Sequence, residues 1–564
     1  MNSNKKIIIY QLLPRLFTNR CNANIPNGSV SQNGVGKFND ITDKVLNSIK
    51  SLGVSHVWYT GIIEHATQTD YARYGIKSSN PYIVKGKAGS PYAIRDYYDV
   101  DPDLAEDIPS RREEFRQLIA RTHNNGLEVI IDFVPNHVAR EYFPDNLSVA
   151  GKNFGEHDNT EVFFDPQNNF YYITGQLFNP AIDLGSGAQL FNEYPAKATG
   201  NDCFNASPSV NDWYETVKLN YGINPSDSTQ HFTPIPDTWN KMLDILLYWA
   251  ALGVDGFRCD MAHMVPVEFW HWVIERVKKT FPHLIFIAEI YDVNLYRNYI
   301  NYGGFDFLYD KVTLYDTLCD IMKGYRPASH LTDCWQTING IRKHMLNFLE
   351  NHDEQRLASP QNIGDTGKTI PAIVVSSTIY TSPFMLYAGQ ELGETGSGTQ
   401  GYSGDDGRTS IFDYCSIPSI FRWYHQGECS TKNLSQEEKQ LRRFYQRILK
   451  MCRQEKAISQ GDFFDLMYVN YGNLNPQKHY VYLRHYKNVT LLIAVNFDGE
   501  PAHLDIDIPL HAFNYLQLKA DTYTATDILN RQSHIVELST REKIHVDIEP
   551  HNAVILKIVE TSQY

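Results

Sequence analysis

An excess of basic residues is missing from this 564-residue chain: 51 Lys and Arg stand against 65 Asp and Glu, a formal net charge of −14. That balance argues against nucleic acid or an anionic membrane as the main partner, because both reward a basic face. Long apolar runs are missing too. No stretch reaches the roughly 20 residues of a membrane span. The run Ile7-Ile8-Ile9-Tyr10 is too short for the apolar region of a signal peptide, and no cleavage-site pattern follows it. A cytoplasmic location is therefore expected, although a secreted chain trimmed of its leader would read the same. Cysteine is sparse: eight residues (21, 203, 259, 319, 334, 415, 429 and 452) lie scattered without paired spacing. Free thiols fit that pattern better than a disulfide framework or a metal knot. Internal repeats and low-complexity tracts are also lacking.

What is present is an ordinary soluble composition, 42% hydrophobic and 21% charged, so disorder is not the default. The length exceeds what one core serves, and two or three domains are expected. Strand and helix signals alternate over most of the chain, the pattern of a parallel sheet wrapped by helices. Ile7–Leu13, Val57–Thr60 and Glu128–Val134 read as the first three strands. Ile41, Val45, Ile49 and Leu52 share one helix face. Ser110 with Glu113 reads as a capping box opening the next helix. After the third strand the next convincing helix begins only at Asp237, so 139–236 is an excursion too long for a bare loop. From about residue 462 short alternating strands with turn residues between them read as an antiparallel sandwich. The expected division is a barrel over 1–138 and 237–460, an inserted unit over 139–236, and a C-terminal β-sandwich over 461–564.

Four polar clusters close buried apolar runs: Asp132-Phe-Val-Pro-Asn136-His137, Gly256-Phe-Arg258-Cys-Asp260, Phe286-Ile-Ala-Glu289 and Asn351-His352-Asp353. Charges at the end of a buried strand must be paired or hydrated. Four such endings spread over more than 200 residues point to one mouth where parallel strands deliver polar groups, the C-terminal face of a (β/α)8 barrel, or TIM barrel. Taken singly, each residue has a duller reading as a helix cap, a surface ion pair or core. Their co-occurrence, in order at consecutive strand ends, weakens those readings.

These clusters closely resemble the ordered motifs of glycoside hydrolase family 13, the α-amylase family. Tyr92-Ala-Ile-Arg-Asp96-Tyr97-Tyr98 resembles its tyrosine-containing loop, and Val217-Lys-Leu-Asn220-Tyr221 stands, with a poor match, where a fifth motif belongs. The resemblance implies a retaining hydrolase cleaving α-1,4-glucosidic bonds in maltodextrin or starch. It assigns Asp260 as nucleophile, Glu289 as general acid/base and Asp353 as the third carboxylate. Tyr92, His137, Arg258 and His352 become substrate-binding residues, and Asp132 a support for Arg258. Retention requires the two reacting carboxyls about 5–5.5 Å apart. Arg258, two residues before Asp260, shares its side of the strand and is expected to keep it ionised. Glu289 is expected to hold its proton through apolar surroundings and two nearby anions. The 36 tyrosines are compatible with a cleft where rings stack on sugar faces.

The partner implied is an oligo- or polysaccharide, with no cofactor required for the chemistry. A structural calcium stays open. Asn136 matches a family calcium ligand, and the Lys-His pair that follows the nucleophile in many family amylases, its His carbonyl meeting calcium, is replaced by His263 and Met264. Three rival functions remain at this level. An α-glucan transglycosylase would use the same residues. A metal-dependent barrel hydrolase would take Asp132, His137, His352 and Asp353 as ligands. A catalytically silent relative would keep the fold only.

Overall fold

In the computed structural model, which describes residues 5–145, 153–181, 191–398 and 401–560, eight parallel strands close on themselves in chain order. They are β1 (Ile8–Leu12), β2 (His56–Tyr59), β3 (Glu128–Phe133), β4 (Gly256–Cys259), β5 (Ile285–Ala288), β6 (Phe307–Tyr309), β7 (Met345–Phe348) and β8 (Phe384–Tyr387). All but the first residues of β3 and β6 are buried. Parallel strands wrapped by helices carry no polar face, which is why these runs read as continuously apolar. Register does the positioning. Arg258 lies opposite Asp132, and Cys259 opposite Ala288. Each strand pair therefore brings its next residues, Asp260 and Glu289, to the same rim.

The helices follow most of their local signals, although Ile41 and Leu52 flank the helix whose face they were expected to share. Asp43–Lys50 starts from Thr42, whose side chain accepts from Val45 N–H. Asp237–Leu252 ends at Gly253 in the left-handed region, φ 103°. Gln436–Gln454 opens with the Ser435–Glu438 capping box. The box expected at Ser110 does not form. Ser110 closes a 3₁₀ turn, Ile108–Ser110, and its hydroxyl donates to Asp107 instead. Glu113 pairs with Arg116 at 2.8 Å.

Between β3 and the helix at Asp237 the described residues form only short strands. His137–Ala139 pairs antiparallel with Thr216–Lys218, and Tyr172–Ile173 with Ala196–Lys197. The buried Arg140 ties this segment together, donating to Tyr214 O at 2.8 Å and Thr216 O at 3.0 Å and pairing with Glu193 at 2.5 Å. C-terminal to the barrel, a six-stranded antiparallel sheet runs from Asp462–Asp465 to Asn552–Val559, and a two-stranded sheet joins Ala502–Ile506 to Ile544–Ile548. Arg484, fully buried on the large sheet, donates to Ala457 O, Ile458 O, Gly461 O and Ile379 O. Four carbonyl acceptors hold this guanidinium at the barrel surface and fasten the two parts together. All eight cysteines are free thiols.

Candidate active site

The strand ends open on a cleft of about 550 Å³, lined among others by Tyr92, His137, Asp260, Glu289, Tyr291 and Asp353. Arg258 sits beneath it without exposed surface. Its Nη1 lies 2.7 Å from Asp260 Oδ1 and 3.5 Å from Asp132 Oδ1, and its Nη2 lies 2.8 Å from Glu289 Oε1. Nε donates to Tyr309 OH at 3.2 Å, and the guanidinium carbon lies 5.2 Å from the Tyr92 ring centroid. One planar fork thus carries both carboxyls, a geometry that only arginine offers.

This arrangement departs from the sequence reading in two respects. Arg258 does not single out Asp260, because the β4–β5 register sets Glu289 against its other nitrogen. Glu289 is not surrounded by apolar groups either. Besides Arg258 it accepts from Tyr291 OH at 2.6 Å and from Met261 N–H at 2.8 Å. Met261 reaches it from a left-handed backbone, φ 42°, in the turn directly after Asp260. Burial drives the Asp260 carboxyl well above the usual range, Arg258 opposes this, and the Glu289 charge adds to the rise. Two carboxyls on one cation repel, and a single proton relieves both.

Asp353, on the loop after β7, keeps 43% of its side chain open to the cleft. Enclosure away from bulk water pushes its carboxyl up, but the charge and hydrogen bond of His352, with Arg258 and Arg408, bring it down to about 2. His352 is held from behind. Gln11 Nε2 lies 2.7 Å from His352 Nδ1, and the His352 Nε2 faces Tyr92 OH at 2.6 Å and Asp353 Oδ2 at 3.0 Å. The Tyr92 hydroxyl in turn donates to Asp132 at 3.3 Å, and Trp58 Nε1 donates to the other Asp132 oxygen at 3.0 Å. His137 is a neutral imidazole, its pKa lowered to about 3 by burial and by the nearby Lys218 charge.

All seven residues singled out from the sequence cluster at this rim. Five line the cleft; Arg258 and His352 do not, and lie in contact with its carboxyls. The sequence reading overlooked Tyr291, Trp213, Lys311, Arg408 and Phe412, which also line the cleft. Tyr291 was within reach of it. The two-residue spacing that links Arg258 to Asp260 also links Glu289 to Tyr291.

The residues proposed for calcium do not fit the ion. Lys218 Nζ lies 2.5 Å from Asn136 Oδ1, 2.8 Å from Asp202 Oδ1 and 3.3 Å from Met264 O. An ammonium stands where the divalent cation would have to go. The metal-hydrolase reading meets a similar obstacle, since Arg258 already claims Asp132, one of its four ligands, and His352 claims Asp353.

Comparison with known proteins gives the same picture. The alpha-amylase catalytic-domain family matches residues 11–461. The cyclomaltodextrinase of Thermoanaerobacter pseudethanolicus is 20% identical over 509 residues, covering 87% of this chain and 70% of that protein. Alpha-amylase MalA of Haloarcula japonica is 25% identical over 364 residues, 64% of this chain and 42% of that one. The alpha-amylase of Geobacillus thermoleovorans, solved with acarbose, shares the fold with a TM-score of 0.64 at 18% identity, covering all of both chains. With a family match over most of its length, and its motif residues gathered at one rim of the barrel, the chain belongs to the alpha-amylase family of retaining glycoside hydrolases.

Proposed function

We propose that this enzyme hydrolyses α-1,4-glucosidic bonds in maltodextrin- or starch-type glucans by double displacement. The observation that carries the reading is the pair Asp260 and Glu289, anchored on the two terminal nitrogens of Arg258 and facing one cleft. Asp260 attacks the anomeric carbon while Glu289 gives its proton to the departing oxygen; Glu289 then takes a proton from water, which opens the glycosyl-enzyme. A bound sugar presents its leaving oxygen as an acceptor that rewards a proton on Glu289, and Arg258 is then free to compensate Asp260. Asp353 grips sugar hydroxyls as an anion, His137 bonds them as a neutral imidazole, and Tyr92 offers its ring as a floor.

We read the chain as a catalytic barrel (1–138 and 237–460) with an inserted unit (139–236) that walls the cleft through Trp213 and Glu215, followed by a C-terminal β unit (461–564). Cyclomaltodextrinases and a neopullulanase among the relatives support an α-glucan substrate. Transfer to a sugar acceptor is the second reading. The aromatic rim of Tyr291, Trp213 and Phe412 favours a sugar over water, and maltosyltransferases are among the relatives. Chromatography of the products from maltoheptaose decides between them: shorter chains alone mean hydrolysis, chains longer than the input mean transfer. No change in maltoheptaose, amylose or pullulan rules out both. Among the described residues no helix is long and apolar enough to cross a membrane.

A further inference from the structure

We infer that the Lys218 ammonium is a built-in cation that takes over the structural task of a divalent ion, so that this junction holds together without calcium. Three segments meet at its Nζ: Asn136 from the end of β3, Asp202 from the excursion, and Met264 from the turn that follows Asp260. Each presents an oxygen, through the side-chain carbonyl of Asn136, the carboxylate of Asp202 and the backbone carbonyl of Met264. An ammonium has three N–H donors and no acceptor, so three converging oxygens use all of its capacity. The Asn136 amide cannot turn its donor toward the lysine, because Nδ2 is already committed to Gly200 O at 2.7 Å.

The tether is fixed as well. Lys218 pairs with His137 in the antiparallel register of Thr216–Lys218 and His137–Ala139, which leaves the side chain little choice of direction. Charge decides against a second cation. One carboxylate, Asp202, balances one ammonium. Adding a divalent ion would give three positive charges against one negative at a largely buried point. Burial lowers the Lys218 pKa and Asp202 opposes that, in keeping with an ammonium retained by its carboxylate.

The knot also bears on the cleft. His137, beside Asn136, lines it, and Met264 closes the turn that carries Asp260 and Met261. Lys218 is thus a positioning residue for both walls.

The test is thermal unfolding of the full chain, read without reference to activity. After dialysis against EGTA the wild type is expected to unfold at the same temperature with and without millimolar calcium. Lys218→Ala is expected to lose at least about 2 °C in EGTA and to regain at least half of the loss in calcium, which can then reach the three vacated oxygens. Lys218→Met, which keeps the stem and loses the charge, is expected to show the same loss. It stands in for the alanine variant should that fail to fold. A wild type that calcium stabilises overturns the inference. So does a lysine variant as stable as the wild type, or an alanine variant that folds but gains nothing from calcium.

Discussion

The Tyr291 hydroxyl lies 2.6 Å from Glu289 Oε1, close enough to donate a charge-assisted hydrogen bond to the carboxylate that must also carry a proton. A phenol that stabilises the anion opposes the acid form needed to release the leaving group and favours the base form needed to activate water. In the proposed mechanism Tyr291 thereby balances the two halves of the reaction. Tyr291→Phe removes that donor and is expected to slow the second, water-dependent step more than the first, read as accumulation of glycosyl-enzyme on an aryl maltoside. A uniform loss in both steps would make Tyr291 a sugar contact only.

Asp260→Asn and Glu289→Gln are each expected to lower kcat by about a thousandfold or more with no loss of fold. The amides keep the shape of the carboxyls and can still accept from Arg258. Far-UV circular dichroism and unfolding midpoint provide the control for integrity. Glu289→Gln should retain more activity on a substrate whose leaving group needs no proton, such as an aryl maltoside with an acidic phenol. Asp260→Asn should fail on both substrates. Equal losses on the activated substrate would undo the division of roles.

Legibility in the sequence depended on whether a residue's signal was local. The strands that close in polar clusters could be read because short apolar runs of parallel strands end abruptly in chemistry, as at Val129–Asp132 and Ile285–Glu289. The Ser110 box could not, because its success turns on backbone angles. At φ −94° and ψ 7° the serine belongs to the preceding turn, and its hydroxyl finds Asp107 first. Two of the three donors on Glu289 were hidden for a different reason: one comes from Arg258 on β4 and one from the left-handed Met261, and only the strand register brings them to Glu289. Lys218 stands in a poorly matching motif, where a strand lysine carries no signal of its own. Its three oxygen partners, at 136, 202 and 264, are far apart in the chain.

His137 ties stability to pH. Unfolded imidazole titrates near 6.5, whereas burial and then Lys218 hold the folded one at about 3. Between those values the unfolded chain takes up a proton that the folded chain refuses. The contribution of His137 is therefore fully present above pH 6.5 and is lost as pH falls toward 3, with a slope of at most about 1.4 kcal/mol per pH unit. Asp101 and Asp103, raised to about 6 by burial, act in the opposite sense, so the total curve conceals the histidine. The difference between wild type and His137→Gln reveals it. Denaturant unfolding from pH 7 down to pH 4 is expected to show the stability difference between the two chains shifting in the variant's favour as the medium acidifies. A constant difference would mean that His137 is not buried as the neutral form.

Arg258 is the sole cation in direct contact with both Asp260 and Glu289 among the described residues, and Asp132 lies 3.5 Å from the same nitrogen. Arg258→Met replaces it with an apolar chain of similar reach and leaves those acids buried without compensation. Breaking a buried ion pair from one side costs about 3–5 kcal/mol, and here the cost has an escape: burial already pushes Asp260 upward, so acidification lets the orphaned carboxyls take up protons. The stability deficit of Arg258→Met relative to wild type is therefore expected to be larger at pH 8 than at pH 5, measured by urea unfolding at both. Arg258→Lys should fall between the two proteins in stability, since one ammonium compensates charge, yet match the methionine variant in lost turnover, since it cannot hold two carboxyls on separate nitrogens. A pH-independent deficit would assign Arg258 to packing. A lysine variant with near-normal kcat would show that charge alone, without the fork, aligns the attacking and protonating groups.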